Sequence, residues 1–200
     1  VLWRGSRGDL SLLFMNGLQV AGSASLSDVP TEWVVQAVGD FNGDGKRDLL
    51  WRNQNNGEVA IWLMNGTALL AGPSLGVVAK DWKIAGVGDF DGDGKSDVLW
   101  RGPDGEVAIW FMNGAAVVNG PIVGAAPRDW RIFGVGDFDG NNRADILWRG
   151  PAGEVAIWFM NGATLVSGPI VAGAPNSYVI AGVADFDGNG KSDILWRNAD

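Results

Sequence analysis

Four short aspartate-rich segments carry the clearest chemistry in this sequence. In the second of them, residues 89–97, aspartates occupy positions 1, 3, 5 and 9 of a tight loop. Alternate side chains of such a loop can converge on one cation, and Gly94 at position 6 allows the sharp turn that aims the carbonyl of Lys95 at the same point. The pattern predicts a metal site made of oxygen ligands.

The same pattern occurs in residues 40–48, 137–145 and 185–193, which predicts about four bound ions, one per loop. Each loop keeps at least three carboxylates, and the loops together hold 13 of the 23 acidic residues. In the third loop Asn142 replaces the glycine, a tolerable change because asparagine is the next-best residue at positive φ. The predicted ligands, with position 7 contributing a backbone carbonyl, are Asp40, Asn42, Asp44, Lys46, Asp48, Asp89, Asp91, Asp93, Lys95, Asp97, Asp137, Asp139, Asn141, Arg143, Asp145, Asp185, Asp187, Asn189, Lys191 and Asp193.

Calcium is the predicted ion. The chain contains no histidine and no cysteine, so carboxylates and carbonyls remain as ligands, and these prefer hard cations. A flexible loop with many protein oxygens suits calcium better than the smaller magnesium ion. The loops are not EF-hands, because Trp51 or Trp100 stands at position 12, where a glutamate would be required. Turn formation alone does not explain the clusters, since grouped carboxylates repel one another.

The loops recur with a nearly constant period, which indicates how the strands that position them are organised. Their first aspartates are Asp40, Asp89, Asp137 and Asp185, which gives spacings of 49, 48 and 48 residues. This period matches a four-stranded propeller blade. Within the second repeat, turn chemistry predicts strands at residues 82–90, 97–101, 106–112 and 115–123.

Apolar residues occupy both faces of the predicted strands. Val107 and Ile109 share one face of the third strand, and Ala108 and Trp110 share the other. Both faces must therefore be covered, as happens when sheets stack on one another. We predict an all-β fold, a β-propeller of four four-stranded antiparallel blades, as a single repeat domain over residues 1–200. An open stack or a β-sandwich is the alternative, and the regular period disfavours the sandwich.

The second-strand motif occurs five times, whereas the acidic loop occurs four times. This difference arises because residues 1–4 and 194–197 are equivalent strands at the two ends of the sequence. A closed four-blade ring would leave one copy over. Either one terminal copy is displaced, or it pairs with a neighbouring chain through an exposed edge, or the sequence belongs to a longer array. A homo-oligomer formed through the terminal strands is thus one predicted assembly.

The segment VGDFDGDGKSDVLW, residues 87–100, resembles the VCBS or FG-GAP-type calcium-binding repeat of integrin α-subunit propellers and of fungal and bacterial lectins. Through its four copies the resemblance spans essentially the whole chain. It implies a calcium-binding propeller with an extracellular or cell-surface location and a role in adhesion or glycan binding. Propellers of this family usually have more blades, so a four-blade ring, an eight-blade dimer and a filament all remain open.

The 11 tryptophans suggest sugar stacking, because aromatic faces pack against the apolar faces of pyranose rings. Those that recur inside the second and third strands, such as Trp100 and Trp110, are predicted to belong to the core. Better ligand-binding candidates lie beside the polar connections between repeats. These candidates are Trp33, Trp82, Trp130 and Tyr178.

The remaining acids are predicted to be structural. Arg101 with Glu106, and Arg149 with Glu154, face each other across a turn and are expected to form cross-strand ion pairs. Hydrolysis of a glycosidic bond needs two unlike carboxylates, whereas these acids repeat in identical settings. We therefore predict that the protein is not an enzyme and has no catalytic residues.

Net charge and hydropathy limit the partners. The formal charge of −8 argues against nucleic acid and anionic membrane surfaces, and turn residues interrupt every apolar stretch, so no membrane span is predicted. The expected partner is a glycan or a protein surface. The main hypothesis is a calcium-stabilised module for extracellular binding or adhesion, with carbohydrate recognition. The alternatives are a self-assembling filament or surface-layer subunit and, third, a non-catalytic module of a larger secreted enzyme.

Overall fold

The computed structural model describes residues 2–26 and 28–198, and every regular element among them is a β-strand. Contacts group the chain into two compact units, which we describe in turn. Unit 1 comprises residues 1–40 and 44–80, and unit 2 comprises residues 41–43 and 81–200. Within the described ranges no helix is long and apolar enough to cross a membrane.

Unit 1 contains two antiparallel sheets. Its strands are β1 (Leu2–Arg4), β2 (Leu10–Asn16), β3 (Gln19–Ser25), β4 (Trp33–Gly39), β5 (Asp48–Asn53), β6 (Glu58–Asn65), β7 (Ala68–Ala71) and β8 (Ser74–Val77). The first sheet has the order β1-β2-β3. The second has the order β4-β5-β6-β7, and β8 also pairs with β6.

Unit 2 repeats the second of these sheets twice and ends with two further strands. Its strands are β9 (Lys83–Gly88), β10 (Asp97–Arg101), β11 (Glu106–Asn113), β12 (Ala116–Asn119), β13 (Ile122–Ala125), β14 (Arg131–Gly136), β15 (Asp145–Arg149), β16 (Glu154–Asn161), β17 (Thr164–Ser167), β18 (Ile170–Gly173), β19 (Tyr178–Ala184) and β20 (Asp193–Asn198). Two sheets have the orders β9-β10-β11-β12 and β14-β15-β16-β17, with β13 and β18 paired to β11 and β16, and the last is β19-β20.

The predicted strand pattern holds in each complete repeat except at its fourth strand. Residues 97–101 form the second strand as predicted. The single fourth strand predicted at residues 115–123 is wrong, because the chain breaks at Gly120 and Pro121 into β12 and β13. Proline has no N–H to donate to the ladder, and a side chain at Gly120 would meet Trp110 Cδ1 at 2.8 Å. Both pieces still pair with β11, whose register shifts beside each of them.

The fourth set of strands is divided between the two ends of the chain. Three complete sheets span residues 33–173, while β1–β3 correspond to the second to fourth strands of a repeat and β19–β20 to the first and second. Both terminal copies of the second-strand motif therefore form strands, β1 near the start of the chain and β20 near its end. Val1, the first residue of the predicted terminal strand, lies outside the described residues. The all-β repeat architecture is confirmed, and closure into a four-blade ring stays a prediction.

The second strand of each complete repeat lies at the centre of the core. Trp51, Trp100 and Trp148 are at most 1% exposed. In unit 2 one apolar cluster joins the second and third repeats and includes both Leu99 and Ile146, so both faces of β10 and β15 are covered as predicted. Each large side chain buried in this way contributes about 1.5–3 kcal/mol to folding.

The first strands of successive repeats contact one another in unit 2, where β14 lies against both β9 and β19. Glycine makes this approach close: a Cβ at Gly86 would lie 2.6 Å from Val135 Cγ2, and one at Gly134 would lie 2.6 Å from Val183 Cγ2. These sheets thus stack in sequence order, with the acidic loops at the ends of their first strands.

Candidate functional site

Each acidic loop connects the first strand of a repeat to the second, and its first aspartate holds the loop in shape. In the second loop Asp89 Oδ1 accepts hydrogen bonds from the N–H groups of Gly92 and Asp93 at 2.7 and 3.1 Å, and Oδ2 accepts one from Gly94 at 2.8 Å. Asp137 and Asp185 accept the equivalent three bonds in their own loops.

The backbone of position 6 turns through the left-handed region. Gly94 has φ of 83° and Asn142, its equivalent in the third loop, has φ of 61°. Asn142 is the one non-glycine residue with positive φ in the described part of the chain. The expectation that asparagine replaces glycine here is confirmed, since its side chain tolerates this conformation better than most.

The aspartate at position 9 is buried and holds two other segments. Asp97 is fully buried, with Oδ2 accepting from Phe90 N and Oδ1 from Met112 N, both at 2.9 Å. Burial raises the pKa of Asp97 to about 7, although both hydrogen bonds act to lower it. The same arrangement at Asp145 raises its pKa to about 6, again because of burial. Each of these carboxylates ties the end of the first strand to the end of the third.

Three loops bring carboxylates together in space. The clusters are Asp89, Asp91 and Asp97; Asp137, Asp139 and Asp145; and Asp185, Asp187 and Asp193. Within each cluster one oxygen of every carboxylate lies within 4.8 Å of the others. Burial raises the pKa of Asp91, and the negative charges of Asp93 and Asp89 raise it further. A divalent cation would relieve this repulsion, so the donor set fits a hard ion such as calcium.

The residues at positions 5 and 7 of the second loop contact each other. Asp93 does not belong to the carboxylate cluster; its Oδ2 lies 2.7 Å from Lys95 Nζ, and its Oδ1 accepts from Lys95 N at 2.9 Å. The hydrogen bond from Lys95 Nζ to Asp93 Oδ2 raises the pKa of Lys95. Asn141 and Asn189 likewise accept from the N–H groups of Arg143 and Lys191, at 2.7 and 2.8 Å. Ligation by position 5 and by the carbonyl of position 7 stays a prediction.

The residues of the first acidic loop that belong to unit 1 are Asp40 and residues 44–48, since residues 41–43 group with unit 2. Asp40 accepts from the N–H groups of Asp44 and Gly45, at 3.2 and 2.7 Å, and Asp44 accepts from Lys46 N at 2.8 Å. Asp48 is fully buried and accepts from Met64 N at 2.8 Å, as Asp97 does from Met112. These bonds repeat the pattern of the other loops, and the ligand set predicted around Asn42 stays a prediction.

Neighbouring loops are joined through their backbones, a feature that the sequence did not predict. The carbonyl of Asp89 accepts from Ala144 N at 2.7 Å, and the carbonyl of Asp137 accepts from Ser192 N at 2.6 Å. The hairpin turn of the third repeat also reaches the preceding loop, because Gly162 N donates to Phe90 O at 3.0 Å. The geometry of one loop therefore depends on the next loop.

Two equivalent pockets at the connections between repeats are lined by three indoles each. The first indole pocket, of about 360 Å³, is lined by Trp33, Trp51 and Trp62. The second indole pocket, of about 290 Å³, is lined by Trp130, Trp148 and Trp158. In each pocket the second- and third-strand rings are tilted against each other, with centroids 5.0 Å apart in the first and 4.9 Å apart in the second.

Both pockets contain an indole donor that lacks a partner. Trp51 Nε1 and Trp148 Nε1 are buried without a hydrogen-bond acceptor among the residues that the structure describes. A buried unsatisfied N–H costs about 1–3 kcal/mol, a cost that the packing of each ring must offset. Gly72 and Gly168 also line the pockets, beside the Trp62 and Trp158 rings.

The four candidate ligand-binding aromatics have different surroundings. Trp33 and Trp130 line the indole pockets. Trp82 is half-buried, and its N–H donates to Asp81 Oδ1 at 3.1 Å. Tyr178 is 40% exposed and lines another pocket, together with Arg149. The sequence placed Trp62 and Trp158 in the core. The missed signal was the glycine that directly follows the first half of the fourth strand, Gly72 or Gly168, which lies beside each of these rings.

The predicted cross-strand ion pairs of unit 2 are wrong. Arg101 and Arg149 are not among the ion pairs formed within residues 2–26 and 28–198. Their Nη2 atoms donate instead to carbonyls of the connection between repeats, Arg101 to Ala126 and Pro127 at 2.9 and 2.8 Å. Glu106 Oε2 accepts from Asp104 N within its own turn. A long guanidinium reaches carbonyls 25 residues away, a contact that local sequence spacing does not predict.

The fold and the loops define an all-β repeat protein with a carboxylate cluster in three successive repeats. The sequence model of the FG-GAP-like repeat matches residues 40–100, 89–148 and 137–196. The chain therefore belongs to the FG-GAP-like repeat family, which confirms the resemblance seen in the sequence. No curated protein matches the chain.

A solved structure of the Photorhabdus luminescens Tc holotoxin pore, in a mutant form, is similar to this chain at 13% sequence identity with a TM-score of 0.50. The similarity covers 98% of this chain and 12% of the other, so this chain spans about an eighth of that protein's length. At this identity the similarity concerns the fold alone.

Proposed function

We propose that the chain is a calcium-stabilised repeat module for extracellular binding or adhesion, and that it recognises carbohydrate. The observation that carries this proposal is the repeated indole pocket, a cavity lined by three tryptophans. The same arrangement occurs in two repeats of a chain that has no histidine and no cysteine for catalysis. Binding without catalysis is the function that these residues support.

The chemistry of the pockets suits a sugar. The C–H faces of a pyranose pack on indole rings, as Trp33 and Trp130 would allow at the rims of the two pockets. Hydroxyl groups of the sugar would bond the polar residues that line the first pocket, Asp28, Glu58 and Ser74. Pockets of about 290–360 Å³ lie at the small end of ligand sites and suit one or two sugar units.

The experiment is a glycan array probed with the whole chain in calcium-containing buffer, followed by calorimetry with the best ligand. Trp33→Ala combined with Trp130→Ala should weaken binding at least tenfold. Phe186→Ala, which removes an exposed aromatic in the fourth acidic loop, is the matched control and should leave the affinity unchanged. Absence of any bound glycan, or equal affinity of both variants, would refute carbohydrate recognition.

Calcium has a structural role in this proposal. The three carboxylate clusters and the first acidic loop would hold one ion each and join the first and second strands of their repeats, so that binding stabilises the fold. Equilibrium dialysis of the chain should give about four ions, with Asp139→Ala removing one. Asp104→Asn removes a carboxylate outside the loops and should keep the full number. A chain that binds no calcium at millimolar concentration would contradict the proposal.

A self-assembling subunit is the second candidate. Leu195 of β20 is 47% exposed, whereas the equivalent Leu99 and Leu147 are fully buried in clusters that include residues of the following repeat. A sheet from another molecule that packs on β20 would cover this face. Sedimentation over a hundredfold concentration range should then show species larger than the 21.1 kDa monomer, and Leu195→Lys should abolish them. A constant monomer mass at every concentration would exclude this candidate.

A further inference from the structure

A strip of four arginines lies at the end of the unit 2 sheets opposite the acidic loops. These residues are Arg101, Arg128, Arg131 and Arg149. Arg128, Arg131 and Arg149 line one pocket of about 450 Å³. Arg128 and Arg131 also line a neighbouring pocket of about 330 Å³ together with Arg101. The chain carries 23 acidic and 15 basic residues, so its net charge is negative, whereas this strip is a local group of positive charges.

The charge of the larger pocket is only partly neutralised. Arg128 forms an ion pair with Asp104, but within the described ranges neither Arg131 nor Arg149 forms one. Arg149 is 7% exposed, and its Nη1 has no hydrogen-bond partner while its Nη2 donates to the carbonyls of Ala174 and Pro175. A buried guanidinium without a counter-charge raises the positive potential of the pocket that it lines. An anion would be attracted to this pocket.

The other lining residues indicate which kind of molecule would bear the negatively charged group. The rings of Phe133 and Tyr178 are 42% and 40% exposed and offer apolar faces. Asn176 uses its amide N–H to bond Pro151 O, at 3.2 Å, which leaves its carbonyl oxygen to accept. Asp129 adds a carboxylate that accepts from hydroxyl donors. Guanidinium groups, hydroxyl acceptors and aromatic faces together match a molecule with a carboxylate, several hydroxyls and a C–H face.

We propose that this arginine-lined pocket binds an acidic saccharide, whose carboxylate pairs with Arg131 and whose hydroxyls bond Asp129 and Asn176. Arg131 is exposed at the start of β14 and can present two parallel N–H groups to a carboxylate. An acidic peptide would satisfy the guanidinium groups but would leave the hydroxyl acceptors unused. The arginine-lined pocket shares no lining residue with the indole pockets. Binding of an acidic saccharide here therefore does not require that neutral glycans bind in the indole pockets.

The test is calorimetry of the whole chain with a disaccharide ending in glucuronic acid, compared with the same disaccharide ending in glucose. The acidic sugar should bind at least tenfold more tightly, and Arg131→Gln should remove this preference. Lys83→Gln removes the same charge at the equivalent position one repeat earlier and should leave binding unchanged. Both side chains are exposed, so both variants should fold.

Three outcomes would overturn the proposal. Equal affinity for the acidic and neutral disaccharides would show that no carboxylate is recognised. Unchanged binding by Arg131→Gln would place the acidic sugar elsewhere. A glutamate-rich peptide that binds as tightly, and loses affinity with Arg131→Gln, would make the pocket a general carboxylate site and refute the saccharide assignment. Trp33→Ala tests the first indole pocket, which shares no lining residue with the arginine-lined pocket, so failure of one proposal is distinguishable from failure of the other.

Discussion

The guanidinium carbon of Arg101 lies 4.9 Å from the centre of the Trp148 ring, which belongs to the following repeat. Arg149 repeats this relationship with Trp196 at 4.8 Å. Each arginine also bonds the carbonyls of the connection between the same two repeats. One side chain therefore joins two repeats and the segment between them.

Replacing Arg101 with lysine should destabilise the fold by about 1–3 kcal/mol, because an ammonium group keeps the charge but cannot make the same set of bonds while stacking on indole. Urea denaturation followed by tryptophan fluorescence measures this loss. Arg131→Lys, at an exposed position, is the control. A change below about 0.5 kcal/mol for Arg101→Lys would mean that these contacts contribute little.

Gly86→Ala should destabilise the protein by about 1–3 kcal/mol, because the new methyl group would lie 2.6 Å from Val135 Cγ2 and valine has a stiff side chain. Gly182 is the equivalent position in the last repeat and has nothing within 4 Å of the added Cβ. Gly182→Ala should therefore be neutral. Equal denaturation midpoints for the two variants would argue against the close stacking of β9 and β14.

Asp97→Asn should destabilise the calcium-free protein by about 1–3 kcal/mol. Phe90 N and Met112 N bond different oxygens of Asp97, and asparagine replaces one of these oxygens by an NH₂ donor, so one buried N–H loses its partner. Asp193→Asn is the matched control, since Asp193 is half-buried and accepts from Phe186 N. Chemical denaturation in EDTA compares the two variants. A smaller loss of unfolding free energy for Asp97→Asn than for Asp193→Asn would contradict the role of Asp97 in holding the first strand to the third.

Stability without calcium should fall as the pH rises from 4 to 7. The pKa values of Asp97 and Asp145 are raised above 3.8, to about 7 and 6, so these groups favour the fold while protonated and oppose it as they ionise. A bound calcium ion would stabilise the ionised carboxylates, so added calcium should raise the melting temperature more at pH 7 than at pH 4. Differential scanning fluorimetry across pH, with and without EDTA, tests this. A calcium effect that is independent of pH would disprove it.

Local chemistry predicted much of the fold. The acidic loops, the positive φ of Asn142 and the strand at residues 97–101 depend on residues close together in sequence. The broken fourth strand was missed because the crowding of Gly120 against Trp110 arises only after the strands pair. For the same reason the sequence placed Arg101 beside Glu106, its neighbour across a turn, when its partners are carbonyls of a distant connection.

The candidate sites likewise include features that neighbouring residues predict and features that arise only when distant segments pack together. The aspartates at positions 1, 3 and 9 converge as their spacing predicts. The indole pockets combine residues from a connection and two strands, so Trp33 could be nominated from the sequence but Trp62 could not. The arginine-lined pocket draws on two repeats, and its residues share no sequence motif.

The backbone bonds from Ala144 to Asp89 and from Ser192 to Asp137 link the second loop to the third and the third to the fourth. In an array of this kind a repeat can be gained or lost by recombination without redesign of the others, because every new junction is the same junction. The length of such a protein is then open to selection independently of its chemistry, and each added repeat would bring its own cluster of carboxylates.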